Sequence, residues 1–326
     1  MQAGMACSQK LVGSLGDALR MFRPYGRGAA SSSAASSRPV KRVGVVGCGQ
    51  MGTGIAIVAA RHAEVEVFAF DKFPASLERS SKFVGDWAAK EVKKGRMNET
   101  DSSNLEKRII FGSLDDSTAL ASVPSLDFVI EAVSEELEVK RNVFDIFQEA
   151  GLPEESVLAT NTSSISITKL AAHVKRPERV IGMHFMNPVP VMPLVEVIRG
   201  LRTDDETLAR TLSMCTAMKK QHATSEDRPG FVSNRVLMPY INEAIFCLQD
   251  AVATAEDIDR TLRLGTNVPM GPLALADFIG LDTCLNIMRV LHRDLGDSKY
   301  RPAPLLVNYV EAGLLGKKTK HGFYTY

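Results

Sequence analysis

The sequence predicts an α/β fold, a Rossmann-like doubly wound sheet, followed by an all-α C-terminal domain. Three observations predict it. Short apolar runs alternate with longer stretches of helical composition from Lys41 onward, which is the rhythm of βαβ units on a parallel sheet. A glycine-rich turn, Gly47-Cys48-Gly49-Gln50-Met51-Gly52, directly follows the first of those runs. Beyond the breaker Arg228-Pro229-Gly230 the short apolar runs stop and helical patterns take over.

The first 40 residues stand apart from this plan. They hold five of the Lys and Arg residues but only one acid, Asp17, and are rich in Ser and Ala. On a helix Leu11, Leu15, Ala18, Leu19 and Phe22 share one face, and no continuous apolar stretch of the secretory kind is present. Residues 1–40 therefore read as a mitochondrial transit peptide, with the matrix as destination, or as a Ser/Ala-rich tail without an address. Removing them changes the formal charge from +1 to −3. With so little net charge, nothing points to a nucleic-acid partner. No uncharged apolar run is long enough for an integral membrane segment. The five cysteines (Cys7, Cys48, Cys215, Cys247 and Cys284) are scattered without metal-type spacing and read as reduced thiols.

Residues 41–228 carry the sheet. Val43 to Val46, Val65 to Phe70, Arg108 to Phe111, Phe128 to Val133, Val157 to Thr160 and Val180 to Phe185 are the strand candidates, and Leu194 to Ile198 reads as an edge strand. Thr53 to Arg61, Ala75 to Lys94 and Leu137 to Glu149 have the length and composition of helices between them. In residues 229–326 helices are expected over Ser233 to Gln249, Ala255 to Leu264 and Leu281 to Leu291.

The glycine turn assigns a cofactor class. In its strand-to-helix setting Gly47 permits the tight turn, Gly49 lets backbone approach a pyrophosphate, and Gly52 lets the helix pack closely on the strand. The helix N-terminus then offers unpaired N–H groups to the phosphates. Asp71, 19 residues past Gly52 at the end of the next strand, is placed to accept the ribose hydroxyls of NAD and to repel the 2′-phosphate of NADP. Lys72 adjoins it, but no arginine does, so NAD is the expected cofactor.

Of six histidines, His184 is the candidate base. It lies near the end of an apolar run, twelve residues before Glu196, which is itself set among Leu194, Val195, Val197 and Ile198. A carboxylate in such company is costly without a partner. Paired with His184 it fixes the tautomer and raises the basicity of the imidazole. The alternative is that Glu196 points to solvent from an edge strand.

From Arg42 to Tyr326 the chain resembles the 3-hydroxyacyl-CoA dehydrogenase family, its short-chain (3-hydroxybutyryl-CoA) branch included. The matching words, in order, begin with Val45 to Gly52, Glu131-Ala132-Val133, Asn161-Thr162-Ser163-Ser164 and His184-Phe185-Met186-Asn187-Pro188. They continue with Leu194 to Ile198, Pro229 to Arg235, Met270-Gly271-Pro272, Gly280-Leu281-Asp282 and Gly322-Phe323-Tyr324. The resemblance implies NAD-dependent, reversible oxidation of (S)-3-hydroxyacyl-CoA to 3-ketoacyl-CoA in fatty-acid β-oxidation. His184 takes the hydroxyl proton, Glu196 orients it, and Ser163 and Asn234 hydrogen-bond the reacting oxygen and the thioester carbonyl. It further implies NAD contacts from Asp71, Glu135, Lys140, Ser163, Asn187 and Lys318, a coenzyme A contact from Lys94, and a homodimer. Glu135 with Lys140 also reads as a helix-surface pair, and Lys93-Lys94 as a solvated face.

Three features depart from the family pattern: Gln221 to Ser225 replaces a valine-rich strand, Trp87 stands where some relatives have a small polar coenzyme A contact, and Lys320 replaces a glycine. Two other functions share these features, a dehydrogenase of a free hydroxy or sugar acid and an NAD-binding protein without turnover. The intact set Ser163, His184, Glu196 and Asn234 argues against the second.

Overall fold

A computed structural model describes residues 39–326, so all but the last two residues of the expected leader lie outside the described residues. Eight strands form one sheet: β1 (Arg42–Val46), β2 (Glu66–Asp71), β3 (Ile109–Ser113), β4 (Phe128–Glu131), β5 (Val157–Thr160), β6 (Val180–Phe185), β7 (Leu194–Arg199) and β8 (Gln221–Glu226). Their order is β3-β2-β1-β4-β5-β6-β7-β8. The first six strands run parallel, with the chain reversing direction once beyond β3 as in a doubly wound sheet. Strands β4 and β5 are buried at every position, which is why they read in the sequence as unbroken apolar runs.

Helices cover both faces. Helices α1 (Gln50–Val58, prolonged by a π-helical turn Ala59–Ala63), α2 (Pro74–Lys93), α3 (Glu99–Arg108), α4 (Ser117–Leu120), α5 (Leu137–Glu149), α6 (Ile167–Ala171) and α7 (Asp205–Ala217) belong to the sheet region. One core joins Ile55, Ile57, Val84, Leu105 and Met214 to one face of the sheet. The other joins Phe144, Phe147, Ile167 and Leu170 to the opposite face. Asn98, Asp116, Ser166 and Asp204 each cap a helix by accepting a backbone N–H.

Two corrections concern the far edge of the sheet. Strand β7 is not an edge strand: it pairs antiparallel with β6 and parallel with β8. Strand β8 is the edge, and nearly all its side chains are exposed, so Gln221–Glu226 needs no apolar pattern and gave none. Its hydrogen-bonding backbone takes the place of valines.

The C-terminal part holds α8 (Ser233–Gln249), α9 (Ala255–Gly265), α10 (Pro272–Ile279), α11 (Leu281–Leu295) and α12 (Pro304–Glu311) around a third core that includes Met238, Ile241, Ile245, Leu273, Leu285, Met288 and Leu306. The Gly322-Phe323-Tyr324 word closes this bundle. Fully buried Asp277 accepts from the Phe323 and Tyr324 amides, at 3.0 and 2.9 Å, and from the Tyr326 hydroxyl at 3.1 Å. Burial and the nearby Asp277 push the Tyr326 phenol up to about 12. A Cβ on Gly322 would lie 2.1 Å from Asp277 Oδ1, so only glycine fits there. Lys320, the residue that replaces a glycine, has φ +61°, the left-handed conformation glycine adopts without strain. Among the described residues no helix is long and apolar enough to cross a membrane.

Candidate active site

The glycine turn has the shape a dinucleotide requires. Gly47 has φ +97°, and a Cβ there would sit 2.5 Å from the Ala132 carbonyl oxygen. A Cβ on Gly52 would fall 1.7 Å from the Gly47 carbonyl oxygen. Gly49 differs: nothing lies within 4 Å of the place its Cβ would take. That open approach fronts the N-terminus of α1, which has no side-chain cap, so its first N–H groups are left for an anion. The residues present thus fit a pyrophosphate.

Asp71 ends β2 beside this turn. Its Oδ2 accepts from the Cys48 amide at 2.7 Å and its Oδ1 from the Phe73 amide at 2.8 Å, which pins the carboxylate and leaves lone pairs for ribose hydroxyls. Burial, then the charge of Asp71, raises the Cys48 thiol to about 12, so Cys48 is neutral packing within the turn. Replacing Asp71 with asparagine is expected to narrow the preference for NAD over NADP by roughly 10- to 100-fold, the worth of a charge-assisted hydrogen bond. The ratio of kcat/KM for the two cofactors measures it. Equal use of both by the parent enzyme would sink the assignment. Gln50 of the turn donates to Asn187 Oδ1 at 3.1 Å, so the expected contact Asn187 does lie at the glycine turn, on the loop that leaves β6.

The candidate base and its carboxylate are cross-strand neighbours. The chain turns back between β6 and β7, and the antiparallel register sets His184 directly opposite Glu196. Facing side chains in such a pair are within reach of each other. His184 Nδ1 lies 3.3 Å from Glu196 Oε2. Glu196 is 3% exposed, so the solvent-pointing alternative is excluded. Burial raises its carboxyl, but hydrogen bonds from His184, Ser233 and the Val232 amide outweigh that and hold it below the usual range. In the tautomer whose Nδ1–H donates to this carboxylate, Nε2 is the ring nitrogen with a free lone pair.

A third group surrounds the loop after β5. Glu135 Oε1 accepts from Thr162 Oγ1 (2.7 Å), from the Ser163 and Ser164 amides (2.8 and 2.9 Å) and from the hydroxyls of both serines (3.1 and 3.0 Å). Asn234 reaches over from α8 and donates to the Ser163 carbonyl at 2.9 Å. The first helix of the C-terminal part is thereby tied to the Ser163 loop.

Lys140 is not a helix-surface residue. It is 1% exposed, with Nζ 2.8 Å from Glu131 Oε1 and 3.3 Å from Glu135 Oε2. Its hydrogen-bonding capacity goes to organising the loop that presents Glu135 and Ser163. The remaining expectations are not brought into these groups. Lys318 holds Asp282 and Thr283, all within the C-terminal part. Lys94 is an exposed cap at the end of α2. Trp87 stacks against the Arg61 guanidinium, 5.1 Å from ring centroid to carbon.

Sequence reasoning gave no role to Glu131, Thr160, Ser225 or Ser233. For Glu131 a signal existed: a carboxylate closing the buried strand Phe128–Glu131 demands a partner, and Lys140 follows nine residues later. Ser233 gave no such sign.

The 3-hydroxyacyl-CoA dehydrogenase NAD-binding domain matches residues 42–228, and the C-terminal domain of the same family matches residues 230–326. A probable 3-hydroxybutyryl-CoA dehydrogenase of Bacillus subtilis is 50% identical over 287 residues, covering 88% of this chain and 98% of the relative. The crystal structure of FadB2 from M. tuberculosis superimposes with a TM-score of 0.84 at 42% identity, covering 89% of this chain and 100% of that one. That of (S)-3-hydroxybutyryl-CoA dehydrogenase PaaH1 from Ralstonia eutropha gives 0.83 at 42% identity, covering 88% and 99%. The doubly wound sheet with its helical C-terminal part, the glycine turn with Asp71 and these matches lead to one conclusion: the chain belongs to the 3-hydroxyacyl-CoA dehydrogenase family of NAD-dependent oxidoreductases.

Proposed function

We propose that this protein catalyses the reversible oxidation of (S)-3-hydroxyacyl-CoA to 3-ketoacyl-CoA, with 3-hydroxybutyryl-CoA as substrate and fatty-acid β-oxidation as its setting. The observation that carries the reading is the pairing of His184 with the buried Glu196 across β6 and β7, in the same sheet whose first strand leads into the glycine turn; Asn187, on the loop that leaves β6, accepts from Gln50 of that turn. NAD, when bound, supplies the hydride acceptor. The chain's own part is proton management and alignment. His184 Nε2 takes the hydroxyl proton of the substrate as hydride leaves C3, and the resulting imidazolium is stabilised by Glu196. In reduction the same imidazolium returns the proton to the oxygen. Asn234 donates to the Ser163 carbonyl, which joins the helical part to the Ser163 loop; Ser163 and Asn234 are the groups assigned to hydrogen-bond the reacting oxygen and the thioester carbonyl. Relatives of the same printed activity over nearly their full length support the thioester substrate.

NADH oxidation with acetoacetyl-CoA, free acetoacetate and longer 3-ketoacyl-CoAs tests the reading. Turnover is expected with acetoacetyl-CoA, with free acetoacetate far slower. Comparable rates with the free acid would instead identify a hydroxy-acid dehydrogenase.

We further propose the mitochondrial matrix as the site of action, on the acid-poor, Arg/Ser/Ala-rich composition of residues 1–40. A reporter fused to those residues is expected in mitochondria. Its retention in the cytosol, together with the full-length protein, would reject import.

A further inference from the structure

We propose that Ser233 is a positioning residue of this site, a hydroxyl that shares Glu196 with His184 and so sets how strongly that carboxylate holds the charged imidazole. The inference rests on the reading of His184 as the base. Glu196 Oε2 takes two side-chain donors: Ser233 Oγ at 2.7 Å and His184 Nδ1 at 3.3 Å. The two donors are 3.5 Å from each other. The hydroxyl therefore holds the shorter bond to the oxygen that the base also needs. The other oxygen, Oε1, is occupied by the Val232 amide at 2.7 Å and, more loosely, by the Ser233 amide and Ser225 Oγ, each at 3.4 Å.

A carboxylate whose charge is drawn into several hydrogen bonds stabilises a neighbouring cation less than one left to that cation alone. Among the described residues that hydrogen-bond Glu196, His184 on β6 is the ionisable side chain. Strand β8 contributes Ser225, α8 contributes the hydroxyl and amide of Ser233, and the residue before it contributes the Val232 amide, none of which changes charge. Ser233 is the first residue of α8, just past the Pro229-Gly230 break, whereas His184 and Glu196 are both on the sheet. The C-terminal part thus reaches the base both through the carboxylate and by the close approach of Ser233 Oγ to His184 Nδ1, independently of the Asn234 bond to Ser163.

The test compares Ser233→Val with Ser233→Thr, two β-branched side chains of the same outline that differ by the hydroxyl. Titration of His184 is followed by NMR in histidine-labelled full-length protein, with His184→Gln identifying the resonance. Ser233→Val is expected to move the His184 midpoint upward by roughly half to one pH unit, the equivalent of one ordinary hydrogen bond. Ser233→Thr is expected to stay near the parent. In the oxidative assay the acid limb of the pH profile moves upward by the same amount in Ser233→Val. Equal midpoints for Thr and Val, or a downward movement in Val, would overturn the role of Ser233. Because the titration is read without substrate, that result is distinct from failure of the enzymatic reading, which would appear as a parent protein inactive toward 3-ketoacyl-CoAs.

Discussion

His184→Gln is expected to lower turnover by roughly 10²- to 10⁴-fold while NAD binding survives, the range for loss of a general acid-base group. Glutamine keeps a hydrogen-bonding group at the position but cannot cycle a proton. NAD binding survives because the glycine turn and Asp71 are built on β1, α1 and β2, away from the imidazole's own contacts with Glu196 and Ser233. Glu196→Gln separates orientation from charge. It keeps the shape and slows turnover, and by removing the negative charge beside His184 it disfavours the imidazolium. Oxidation starts from neutral imidazole, so its acid limb moves to lower pH. Reduction starts from imidazolium, so its alkaline limb also moves to lower pH. At a fixed pH between the limbs, the substitution therefore affects the two directions in opposite senses. Rates measured in both directions, with a deuterium isotope effect showing that chemistry is limiting, check this. Near-wild-type turnover in His184→Gln under those conditions removes His184 from the mechanism.

What could be read from the sequence follows physical lines. Strands buried on both faces announced themselves as apolar runs, and Val157–Thr160 and Val180–Phe185 have the bounds their patterns predict. Edge strand β8 stayed hidden because Gln221–Glu226 contributes backbone rather than apolar side chains. Short helices such as Ile167–Ala171 and Pro272–Ile279 are too brief to show a period, and the second is separated from α11 by Gly280 alone, at φ +104°. In the site, His184 and Glu196 were legible because a hairpin-like return brings residues twelve apart face to face. The Ser233 bond to Glu196 spans 37 residues and the Asn234 bond to Ser163 spans 71. No local spacing encodes such contacts. Asn234 is legible only through the family resemblance of its surrounding word, and Ser233 in the same word carries no local pattern of its own.

Lys140→Met is expected to destabilise the fold by about 3–5 kcal/mol, the usual consequence of leaving one member of a buried ion pair alone. Lys140 and Glu131 have side-chain exposures of 1% and 0%, so neither charge is satisfied by water. Without the ammonium, Glu131 keeps two donors, the Val133 amide at 2.7 Å and Thr160 Oγ1 at 2.6 Å. These do not balance a carboxylate fully removed from solvent. The pH dependence carries the diagnosis. Burial already pushes the Glu131 carboxyl above its ordinary value, and removal of Lys140 pushes it further. A folded-state value above the unfolded one means that the native protein binds the extra proton between the two. Stability of Lys140→Met should therefore rise as pH falls from neutrality toward the carboxylate range, and fall as pH rises through the folded value. Adding Glu131→Gln to Lys140→Met removes the stranded charge and should recover much of the loss at neutral pH. Urea unfolding of the parent, the single and the double variant at mildly acid and neutral pH measures all three effects. A single variant within about 1 kcal/mol of the parent at neutral pH, in the range of an ordinary surface change, would show that the buried pair is not what supports this loop. The expected instability also reaches the loop that the family resemblance assigns to NAD, since Lys140 Nζ lies 3.3 Å from Glu135 Oε2 and Glu135 gathers Thr162, Ser163 and Ser164. NAD affinity should accordingly fall in Lys140→Met even where the fold persists, and the double variant should recover stability more completely than it recovers NAD binding.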